Sequence, residues 1–178
     1  ITYCHSGFNS GIIPLDSTLG IGLDFYIGPE SDPVKSLPHE IFPQYKKDKM
    51  RSYYVVPDAV RGWTTITFWN KKTGDNLLAE IIFFGKIMYC TDAFIPEVHD
   101  SLKMNYTTSE LDWARGNEVN VWKEMAKQEV MFQTKVFEIK KWTEDGPFTN
   151  TGAIPEESPS RLGIWMGWQI VKDYMEEN

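Results

Sequence analysis

The chain has 178 residues, enough for one domain with a sizeable core. Its net charge of −7 excludes duplex nucleic acid as a partner, because binding phosphates requires a clustered basic face. Aromatic residues reach 14% with seven tryptophans, which either fill the core or line a surface for glycan or protein.

In chain order, residues 1–28 are expected to form a β-hairpin. The segment SGFNSG at 6–11 can turn through its glycines and asparagine. From Leu19 the pattern has period two, with Leu19, Ile21, Leu23 and Phe25 on one face and Gly20, Gly22, Asp24 and Tyr26 on the other. Two glycines on one face point to a close approach, by a crossing helix in the simpler reading or by another backbone or a ligand in the sharper one. Residues 28–46 hold Pro29, Pro33, Pro38 and Pro43 and read as a surface loop. Residues 47–70 read as helical, broken near Pro57, with Val60, Trp63 and Thr67 at helical spacing.

The most apolar run, LLAEIIFFGKIMYCTDAFI at 77–95, carries only Glu80, Lys86 and Asp92 as charges. At about 1.5 Å per residue it nearly matches a bilayer, yet each charge costs a few kcal/mol at membrane depth. It is therefore expected as the buried central helix of the domain, capped by Asp75 or Asn76 and stopped by Pro96. Cys90 lies in this helix, which favours free thiols at Cys4 and Cys90 over a disulfide. Thr107 and Glu110 form a capping box, and Leu111, Ala114, Val121, Trp122, Met125 and Phe132 make an apolar stripe, so this helix is carried to about Phe132. A shorter helix over 134–142 and a loop over 143–157 follow. The last helix is expected to start with Ser158 as N-cap and Pro159 in its first position. Leu162, Trp165, Met166, Gln169 and Ile170 should face inward, with Gly163 and Gly167 one turn apart against the central helix.

Few residues stand at the spacing of a known chemical motif. The three histidines are His5, His39 and His99. A zinc-protease helix needs two histidines at i and i+4 with a glutamate between them. His39-Glu40 begins that pattern, but Pro43 stands at i+4. There is no glycine-rich phosphate loop, no G-x-S-x-G and no C-x-x-C, and no cofactor or metal site is expected. Asn105-Tyr106-Thr107 matches a glycosylation sequon, but its threonine already serves as a helix cap. Two polar residues stand out. Arg161, in the first turn of the last helix, opposes the helix dipole by about 0.3–1 kcal/mol and should have a carboxylate partner, Glu157 or Asp24. Asp24, on an apolar strand, would need such a partner if buried. A structural ion pair is the simpler reading of both, a ligand site the sharper one.

Four stretches together resemble the GldB family, gliding-motility lipoproteins of Bacteroidetes-type bacteria: GIGLDFYIG at 20–28, VPDAVRGW at 56–63, IIFFGKIMY at 81–89 and ESPSRLGIWMGWQIVKDYMEEN at 157–178. YTTSELDWARGNEVNVW and GPFT also fit. The resemblance implies that this chain is the C-terminal part of a longer lipoprotein, with an N-terminal lipid anchor upstream. It also implies a cell-envelope location facing the periplasm or the cell surface. The opening ITYCHSGF, without Met or signal peptide, fits a strand entered partway.

The family is in turn similar to predicted zinc proteases, which implies a zincin-like order of hairpin, ligand helix and core helix. Where that pattern needs two histidines, the helix at 56–63 offers Asp58, Arg61 and Trp63. Where a Glu-Gly would supply the third ligand, the chain reads Phe84-Gly85.

The expectation is thus a single α+β domain over 1–178, mostly helical, with an N-terminal β-hairpin or small antiparallel sheet. Its expected role is that of a non-catalytic envelope lipoprotein working through contacts with proteins of the gliding or associated secretion machinery. A hydrolase with its catalytic residues elsewhere, or an aromatic glycan-binding module, are the alternatives. Asp24, Asp58, Arg61 and Arg161 are the polar residues singled out.

Overall fold

The computed structural model describes residues 1–16 and 18–177. The chain is mostly helical, with a small N-terminal sheet followed by helices. It forms two compact units, Ile1–Thr67 and Phe68–Asn178, and each is described by itself.

The first unit is built on three short strands, β1 (Thr2–Cys4), β2 (Ile12–Pro14) and β3 (Leu19–Gly22), in the order β1-β3-β2. β2 and β3 form the antiparallel hairpin, with Ile12 opposite Ile21. β1 runs parallel to β3, Tyr3 opposite Ile21, so the sheet is mixed and the hairpin starts later than expected. The period-two pattern ends at Gly22, because Leu23–Tyr26 turns into a 3-10 helix and leaves Leu23 exposed. The glycine face does mark a close approach, but by backbone. A Cβ on Gly22 would overlap the carbonyl oxygen of Ser10, and Gly22 N–H donates to the Gly11 carbonyl at 2.9 Å.

The proline-rich stretch holds two single-turn helices, α1 (Asp32–Lys35) and α2 (Gln44–Lys47). α3 (Val55–Phe68) follows and is not broken by Pro57, which is its third residue, where the missing N–H has no helical partner to lose. Gly62 lets α3 lie on β2, since a Cβ there would stand 2.6 Å from Ile12 Cγ2.

The second unit is organised around α4 (Leu77–Phe94), as expected. Asn76 caps it, its side-chain oxygen accepting from Ala79 N–H at 2.9 Å. α5 (Asp100–Met104) leads to α6 (Thr108–Lys127). The capping box is present: Glu110 N–H donates to the Thr107 hydroxyl at 3.2 Å and Thr107 N–H to the Glu110 carboxylate at 2.6 Å. α6 stops before Phe132, because Glu129 takes a left-handed φ of 52° and a 3-10 turn follows over Val130–Phe132. Phe132 and Trp122 leave the inward stripe and are exposed, whereas Leu111, Ala114, Val121 and Met125 are buried. α7 (Val136–Thr143) and α8 (Leu162–Glu177) complete the unit.

α8 begins three residues later than expected, so Ser158 and Pro159 lie outside it and Arg161 precedes its first residue at a φ of 58°. α4 and α8 run side by side in the same direction, Gly163 beside Ile81 and Gly85 against Gly167. A Cβ on Gly167 would overlap the Ile81 carbonyl, and one on Gly85 the Gly167 carbonyl, so the two backbones touch. Trp142, Trp165 and Trp168 are buried in this core. Among the described residues, no helix is long and apolar enough to cross a membrane.

Candidate functional site

The four polar residues singled out by sequence fall into separate structural roles. Asp24 is buried at the start of the 3-10 turn and holds the 6–8 loop. Its carboxylate accepts from Ser6 N–H at 2.9 Å and from Phe8 N–H, and the Ser6 hydroxyl lies 3.0 Å from both oxygens. Burial pushes its pKa up, but the hydrogen bonds from Phe8 and Ser6 outweigh it and hold the carboxyl below the usual aspartate value. They also fix Phe8 at a φ of 57°, a costly backbone for an aromatic residue, while its ring packs on Phe25 and Phe42. Ser6 and Phe8 thus take the place of the cationic partner considered for Asp24.

Asp58 and Arg61 meet on one turn of α3, the guanidinium donating to Asp58 Oδ1 at 2.6 Å. The Tyr26 hydroxyl donates to the other oxygen at 3.1 Å. Burial first, and the Asp58 charge second, push the Tyr26 hydroxyl well above the ordinary tyrosine range, so it stays a donor. Both carboxylate oxygens of Asp58 are therefore occupied within the first unit.

Arg161, in the second unit, does meet a carboxylate, but that of Asp145, at 3.8 Å, and not Glu157 or Asp24. Its guanidinium also donates to the Met104 carbonyl and sits 6.0 Å from the Tyr106 ring. Tyr106 in turn donates to the Ser160 carbonyl. Together they fasten the segment before α8 onto the end of α5.

Sequence reasoning missed two features. One is a charged network in the second unit: Lys103, 1% exposed, pairs with Asp92 and Asp100, which also attract Lys172 and, at Asp100, Arg115. A single Asp in the apolar α4 was its only sequence signal. The other is a groove of about 930 Å³ beside the α4–α8 seam. Leu78, Ile82 and Ile87 of α4 line it together with Ile170, Val171 and Met175 of α8. Among the described residues its charged lining is Lys71 and Lys86, both exposed, with no carboxylate. Nothing local in the sequence marks it, because its walls come from helices distant along the chain. Cys90 lines the same groove, and both cysteines are free thiols.

Among the described residues, no group of three or more His, Cys, Asp or Glu is placed to hold a metal ion. The Nδ1 of His99 is engaged at the start of α5, 2.8 Å from the Ser101 hydroxyl.

Compared with known families, residues 1–178 match the family described as gliding motility protein GldB. The chain belongs to this family. The match spans both units, and the family's name marks its members as lipoproteins of gliding motility. No curated protein and no solved structure matches the chain, so neither the zinc-protease similarity nor a zincin-like arrangement is confirmed.

Proposed function

We propose that this chain is a non-catalytic region of a lipid-anchored envelope protein that acts in gliding motility, or the secretion machinery tied to it, by binding other envelope proteins. The observation that carries the reading is the GldB family match over residues 1–178. The use of the polar residues supports it: Asp24, Asp58, Arg61 and Arg161 are each committed to internal hydrogen bonds or ion pairs. A general base or nucleophile needs a reactive atom available to substrate.

Photo-crosslinkers placed at Phe132 and Phe137, 75% and 71% exposed in the second unit, provide the test in cells. The expected outcome is a discrete adduct with an envelope protein of the motility or secretion machinery. If motile cells carrying these variants yield no adduct from either position, the protein-contact reading loses its support.

A further inference from the structure

The groove beside the α4–α8 seam has a chemistry that the motility role does not use. A helix apolar on nearly every side should be covered on every side, yet Leu78 and Ile82 are only partly buried and form a wall of open space. The volume, about 930 Å³, lies in the range of small-molecule sites. Its lining follows α4 from Asn76 to Cys90, roughly 21 Å at 1.5 Å per residue, close to an extended chain of about sixteen carbons.

Charge selects the occupant. The chain carries 25 acidic residues against 18 basic ones, but among the described residues the groove presents Lys71 and Lys86 and no acid. Neither lysine makes an ion pair among the described residues, whereas nearby Lys72 is paired with Glu80. A second copy of the chain fits poorly, because a two-fold contact would bring the same lysine-bearing groove of each copy into one interface, between molecules that each carry −7.

We propose that this groove binds a long-chain fatty acid, its hydrocarbon along Leu78, Ile82, Ile170 and Val171 and its carboxylate at Lys71 and Lys86. The inference is independent of the partner-binding reading above. An apolar trough supplies affinity, and the exposed lysines on its lining favour an anionic head group over a neutral or cationic one.

The probe is palmitate, titrated below its critical micelle concentration into the delipidated protein by calorimetry, with hexadecanol and hexadecyltrimethylammonium as comparison ligands. One saturable palmitate site is expected. The double variant Lys71→Glu/Lys86→Glu should weaken palmitate by about tenfold, as befits two exposed ion pairs, and leave hexadecanol unchanged. Ile82→Trp should abolish binding of both by filling the trough. Should that variant not fold, Cys90 gives a readout in a Cys4→Ser background, where saturating palmitate should protect it from maleimide. The proposal is overturned if palmitate shows no saturable site, if the cationic ligand binds as tightly, if Cys90 is not protected, or if the protein sediments as a dimer that Ile82→Asp dissolves.

Discussion

A buried carboxylate is an expensive group, and Asp24 offsets that cost with the backbone N–H groups of Ser6 and Phe8 and the Ser6 hydroxyl. Because these bonds favour the ionised form, Asp24 contributes its full stabilisation above the ordinary aspartate pKa of about 3.9 and loses it as pH falls through its lowered folded value. Asp24→Asn turns one acceptor into a donor facing donors, and should cost about 1–3 kcal/mol at neutral pH. Thermal melts of both proteins from pH 7 down to pH 2.5 should converge at the acid end. A gap that persists unchanged at low pH would mean that ionisation is not what Asp24 supplies. The need of Asp24 for a partner was legible in the sequence, but the identity of the partner was not, because Ser6 and Phe8 reach it through a glycine turn that carries no periodic signal. For Arg161 the reason given by the sequence fails: it stands before α8 and not in its first turn, so the helix dipole does not set its need for a carboxylate. Its left-handed backbone directs it to Asp145 and the Met104 carbonyl.

At the scale of elements, α4 and the capping box of α6 were readable because their signals are local: an apolar run, and a threonine three residues before a glutamate. The start of α8 was misread for the opposite reason. Its N-terminal hydrogen bond comes from Thr149, which accepts from Leu162 N–H at 3.2 Å and donates to the Pro159 carbonyl at 2.7 Å. Ser158, the apparent cap, has a buried hydroxyl with no hydrogen-bond partner among the described residues. The glycines of α8 were read correctly, and the contact they allow is sharper than spacing alone could say, since Gly167 faces the carbonyl of Ile81 and not a side chain. A backbone cannot rotate away as a side chain can, so Gly167→Leu should destabilise by about 1–3 kcal/mol or more. Calorimetric melting should show the loss as a drop of several degrees. An unchanged melting temperature would refute the backbone contact.

At the scale of the molecule, the order of a small sheet followed by helices was legible from the switch between period two and helical spacing. The parallel strand β1 was not, because strand pairing order leaves no trace in a three-residue strand. Catalytic zinc needs three protein ligands and an open position. The positions that would supply them hold Asp58, already bound by Arg61 and Tyr26, and Phe84, a ring with no lone pair. Of the histidines, His5 and His39 belong to the first unit and His99 to the second. Elemental analysis of the purified chain should find no stoichiometric zinc, and a chelator should leave the melting temperature unchanged. Stoichiometric zinc with a chelator-sensitive melt would promote the hydrolase alternative.

The contact between Gly85 and Gly167 also sets a timetable for the newborn chain. The two surfaces that touch are separated by about 80 residues of sequence, so at roughly 5–20 residues per second about 4–16 s pass between synthesis of one and of the other. Through that interval α4 has α5 and α7 to pack on but lacks α8, the helix whose backbone it touches. The α4–α8 seam cannot close until the second turn of α8 exists. A truncation that removes Gly167 should therefore open the seam, whereas the exposed residues Asp173–Glu177 lie beyond it.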